Sequence, residues 1–193
     1  MTQMKFGPEE LRELGEQSTN VSSPWAGATD YLHRGLKEWV RREIGTDRKV
    51  AVAAAAAACD LVVGRYSADQ QGLPPRSYLE HMLASIRRWL DDPSRENTER
   101  VRSSLDVTRS AHAWQREQDV APFWILDAID HASLAVWSGE RASYIIPMDY
   151  TTTAARSITC VLHALLDLGM SEDSACSVVV ATVRDAVATA VAT

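Results

Sequence analysis

The chain has 193 residues, 46% of them hydrophobic and 24% charged, with a net charge of −6. A chain of that length buries about 70% of the surface its unfolded form exposes, so one core suffices without metal or disulfide staples. The acidic balance argues against non-specific nucleic-acid binding, and three widely spaced cysteines (Cys59, Cys160 and Cys176) with no CxxC pair read as reduced thiols of a cytoplasmic protein.

The first element is "GPEELRELGEQ" (residues 7–17), an acidic helix entered through Pro8, since proline is tolerated in a first helical turn. The opening stretch has no apolar core of the kind a secretory leader needs, and none is expected. "STNVSSPWAG" follows as a linker of turn-forming residues. Residues 1–27 are therefore expected to form an N-terminal arm, a short helix and a linker, and residues 28–193 the helical domain. "ATDYLHRGLKEWVRREIG" carries Tyr31, Leu32, Leu36, Trp39, Val40 and Ile44 at helical spacing and stops at Gly45.

"KVAVAAAAAACDLVVGRY", Lys49 to Tyr66, is the most apolar run of the chain. Its unbroken apolar stretch ends before Asp60, short of the roughly 20 residues a bilayer-spanning helix requires. Alanine is the strongest helix former, and its small side chain lets neighbouring helices approach closely. The run is predicted to be a buried helix at the centre of a soluble core, with no membrane involved.

"SADQQGLPPR" is a loop, and "SYLEHMLASIRRWL" then aligns Leu79, Met82, Leu83, Ile86 and Leu90 on one stripe of an amphipathic helix closed by "DDPS". "SRENTERVRSSLDVTRSAHAWQREQ" is more polar, with Val101, Leu105, His112 and Trp114 as its few large anchors. "APFWILDAIDHASLAVWSGE" has Pro122 in its first turn and Gly139 at its end. "YIIPMDYTTTAARSITCVLHALLDLGM" breaks at Pro147 and runs as a helix to Gly169. In the last segment Ser171 is the predicted N-cap, followed by Glu172 and Asp173 where acidic groups suit a helix start. Its valines favour strands, but the long stretch free of glycine, proline and asparagine favours helix. The fold class is all-α, a single-domain bundle of six to eight helices.

"DAIDHA" is the densest chemical cluster: Asp127 and His131 share a helix face, with Asp130 beside them. Bundle metal sites draw ligands from such pairs, but need a second pair on a neighbouring helix. His81, His112 and His163 do not repeat the pattern, and there is no HExxH. No metal and no cofactor is assigned. The plain reading is a surface pair or a polar contact between helices; the sharper one is a contact site. The cysteines sit in apolar helix patterns, where cysteine behaves as a small hydrophobe. There is no nucleophile elbow or dinucleotide fingerprint, and the nine glycines, mostly at expected helix boundaries, draw no phosphate cradle. No catalytic residue is expected.

"RRWLDDPSRENTERVRSS" balances its arginines with carboxylates and reads as a solvated, salt-bridged surface. "HRGLKEWVRREIGTDRK" is more basic, with His33, Arg34, Lys37, Arg41 and Arg42 around Trp39, and could receive an anionic partner. Of six tryptophans, Trp89, Trp124 and Trp137 fit helix packing, whereas Trp25 and Trp114 suit interface anchors.

An alanine-rich helix with a cysteine near its end ("AVAAAAAACDLVVGRY") precedes a proline loop and a helix closing in tryptophan ("YLEHMLASIRRWLDD"). A small-residue half with "SAHAWQRE" and "DHASLAVW" completes the succession. Over Lys49 to Leu168 this order resembles immunity proteins of bacterial polymorphic toxin systems, the Imm5-like group. The resemblance implies a small cytoplasmic helical protein that binds a cognate toxin domain and blocks it without catalysis. Contact residues are expected on the polar face of Asp127, Asp130 and His131, with Trp114 as anchor. Two alternatives stay open. One is a metal- or small-molecule-binding bundle using Asp127, Asp130, His131, His112 and His163. The other is a self-associating helical protein, a possible homodimer through Ala175, Val179, Val183, Ala186 and Ala190.

Overall fold

The computed structural model describes residues 7–17, 31–67, 73–112, 121–138 and 149–192, without the side chains of 105–112. Eight α-helices occur among them: α1 (Pro8–Gln17), α2 (Tyr31–Ile44), α3 (Arg48–Val63), α4 (Arg76–Asp91), α5 (Arg95–His112), α6 (Ala121–Trp137), α7 (Tyr150–Asp167) and α8 (Glu172–Val191). The described residues contain no strand, and the helices pack as one bundle. This is the all-α architecture the periodicity predicts.

The alanine-rich α3 is the axis. The Asp47 carboxylate accepts the Val50 N–H at 3.1 Å and caps its start, satisfying a donor that a helix N-terminus otherwise leaves open. Ala51, Ala54, Ala55 and Ala58 are fully buried, and α4, α6, α7 and α8 all pack against this helix. Side chains no larger than a methyl make such crowding possible on nearly every face.

α6 and α7 run antiparallel and form the most extensive helix pair. α7 is capped by Asp149, whose carboxylate accepts the Thr152 N–H at 2.7 Å. It ends where Gly169 adopts φ 86°, with Gly169 N–H donating to Leu166 O and Met170 N–H to Leu165 O. That pair of bonds closes the helix through a left-handed residue, which glycine adopts without steric cost. Ser171 then caps α8 by accepting the Ser174 N–H at 3.3 Å.

Ala175, Val179 and Val183 of α8 are fully buried against the chain's own core, and Ala186 and Ala190 pack beside them. This stripe is the seat of α8 on the bundle. By length and composition α8 is also the one described helix that could cross a membrane.

α1, from the N-terminal arm, is docked on α2. Leu11 is fully buried, and the two helices cross at Gly15 and Gly35. A Cβ on Gly35 would overlap the Leu11 carbonyl, and one on Gly15 would overlap that of Tyr31. These glycines lie inside helices rather than at the boundaries where the sequence places most of its glycines. Close backbone approach explains their use.

Candidate functional site: the polar seam of α2, α6 and α7

α7 lies between α2 and α6. At one end of the α2–α7 contact, Tyr150 OH donates to Thr46 O at 2.6 Å and Thr151 Oγ1 to Gly45 O at 3.3 Å. At the other, the rings of His33 and His163 meet with centroids 3.4 Å apart. These contacts fix an antiparallel register. His163 also stacks on Trp124 of α6, with centroids 4.2 Å apart and planes 13° from parallel. Three helices are thus joined by one aromatic stack, Trp124–His163–His33. Burial, helped by His163 and Arg12, lowers the His33 pKa to about 3, so this imidazole is neutral at physiological pH.

Along α6 the stack continues into the predicted polar face. Trp124, Asp127 and His131 recur at three- and four-residue spacing, with Asp130 alongside, and all are half-buried. Asp127 and Asp130 sit close enough to the Cys160 thiol of α7 to add to its burial in pushing its pKa far up. The structure therefore brings Asp127, Asp130 and His131 together on one strip beside α7. Trp114 and Trp25 lie outside the described residues, as does the side chain of His112. His81 is exposed on α4, at the open groove between α4 and α5. Among the described residues no group of three or more His, Cys, Asp or Glu side chains is placed to hold a metal ion.

The three thiols are buried. Burial raises the Cys59 pKa to about 12 and, with Glu172 and Asp173, the Cys176 pKa to about 11. Cys59 Sγ lies 3.5 Å from Ser157 Oγ, and Ser157 donates to Ala128 O at 2.7 Å, tying α3, α7 and α6 together. A thiol so placed stays protonated at neutral pH and is a poor nucleophile.

The mixed-charge segment across α4 and α5 forms ion pairs: Arg87 with Asp60, Arg100 with Glu96, and Arg102 with Glu99 at 3.9 Å. Exposed pairs of this kind contribute little stability and match the solvated surface expected there. On α2, Glu38 engages both Arg42 at 3.4 Å and Arg41 at 3.9 Å, and Arg34 lies over the Tyr31 ring. Sequence reasoning missed the aromatic stack. The one available signal was Trp124, one helical turn before Asp127 on the same face.

Comparison with protein-family models, with curated proteins and with solved structures finds no match for this chain.

Proposed function

We propose that this chain is a non-catalytic cytoplasmic binding protein of the immunity type, which holds a cognate toxin domain and blocks its action. The observation that carries the proposal is the half-buried acidic strip of α6, where Asp127, Asp130 and His131 follow the Trp124–His163–His33 stack. Three packed helices hold that strip, so its side chains lose little freedom on binding, and pre-organisation of this kind raises affinity. Its carboxylates suit a basic partner surface, where complementary charge speeds encounter and selects against wrong partners. The order of sequence segments resembling immunity proteins supports the same role.

The test compares the wild-type chain with Asp127→Lys/Asp130→Lys in binding to the partner that the wild type captures, each variant first checked for helical content by circular dichroism. Loss of at least tenfold in affinity with the fold retained is expected. Unchanged affinity would remove the strip from the interface.

A further inference from the structure

The register that sets His33 against His163 and Gly45 against Thr151 also places Lys37 of α2 beside Arg156 of α7. Lys37 lies one turn from His33 on α2, and Arg156 two turns from His163 on α7, so both fall on the facing sides of the pair. Both side chains are half-buried. Among the described residues neither makes a hydrogen bond or an ion pair.

The carboxylates nearest Lys37 are committed elsewhere: Glu38 to Arg41 and Arg42, and Asp149 to the N-cap of α7. Burial lowers the Lys37 pKa first, and the charges of Arg156 and Arg41 lower it further. Burial also lowers that of Arg156. In a chain with net charge −6, two adjacent half-buried cations that no carboxylate contacts directly among the described residues are an unfavourable arrangement. Half-buried like charges repel more strongly than they would in water.

We propose that the α2–α7 seam at Lys37 and Arg156 is a binding site for an oxyanion of the phosphate or carboxylate class. A guanidinium offers paired N–H donors that fit two oxygens of such a group, and an ammonium adds a point charge beside it. The site does not depend on the immunity role. Either can fail alone.

The experiment is thermal unfolding of the full chain with inorganic phosphate or with acetate, against sodium chloride at matched ionic strength. It is repeated on Lys37→Gln and Arg156→Gln. Phosphate should raise the wild-type Tm with the logarithm of its concentration above Kd, by about 3–6 °C at ten times its Kd, and each variant should abolish the rise. A rise with acetate instead would assign the same site to carboxylates. In chloride alone both variants should be at least as stable as the wild type, since each removes a repulsion. That separates lost binding from lost folding, and Arg156→Lys serves as a third variant that keeps the charge. A wild-type Tm indifferent to both anions, or a rise that survives in Lys37→Gln and Arg156→Gln, would overturn the proposal.

Discussion

Replacing Gly35 by alanine asks whether the α1–α2 crossing holds the N-terminal helix in place. A Cβ at Gly35 would lie 2.5 Å from the Leu11 carbonyl carbon, closer still to its oxygen, and 3.0 Å from the Gly15 nitrogen, against an ordinary contact of at least 3.4 Å. These are backbone atoms and cannot rotate aside, so the helices must part by about 1–2 Å, and overpacking of this kind costs about 1–3 kcal/mol. Parting them also exposes some of Leu11, fully buried in the wild type, whose complete burial contributes about 1.5–3 kcal/mol. Alanine offsets about 1 kcal/mol of this through its better helix propensity. A net loss of about 2 kcal/mol should lower Tm by about 4–8 °C in a chain of this length. Gly64 is the matched control: its φ is −63° and nothing lies within 4 Å of an added Cβ. Gly64→Ala should therefore stabilise by about 0.4–1 kcal/mol. Differential scanning calorimetry on both variants decides the matter. A Gly35→Ala protein melting at or above the wild-type temperature would refute the close crossing.

Other perturbations have expected outcomes of equal definition. The unfolded chain protonates His33 near pH 6.5, whereas the folded one does so only near 3. The folded state therefore binds fewer protons in that window, and stability present above pH 6.5 drains away as pH falls, by at most about 1.4 kcal/mol per pH unit from this group. Urea titrations at pH 7 and 5 should show the loss, and His33→Gln should flatten it; an unchanged slope in the variant would exclude His33 as its source. All three cysteines should resist Ellman's reagent at pH 8 in the native protein and react in guanidinium chloride, because burial keeps the thiolates from forming. Rapid native labelling of even one thiol would contradict the packing of α3, α7 and α8.

The helices and several of their ends are legible in the sequence because their causes are local. Gly45 and Gly169 stop α2 and α7 with positive φ, and Ser171 caps α8, each through residues within a turn of the boundary. The centrality of α3 is equally readable, since a run of alanines has no polar face to give to solvent. The face shared by Asp127 and His131 follows from helical spacing alone. Contacts between helices distant in the chain are not legible in this way. Nothing in the periodicity of α2 says that His33 meets His163, that Gly35 faces Leu11, or that Lys37 is left beside Arg156. The α8 stripe shows the same limit from the other side. Its small apolar residues suit either a dimer seam or an internal seat, and their packing against α3 is not readable from the sequence.

The central claim is a dedicated protein partner. The most direct measurement is affinity capture of the C-terminally tagged chain from lysate of its source organism, with bound proteins identified and quantified by mass spectrometry. An immunity role predicts one partner at stoichiometric amount that carries a toxin domain, whose activity falls to zero at one equivalent of this chain. Recovery of the chain alone or only with itself, or a captured toxin domain that stays fully active, would contradict it.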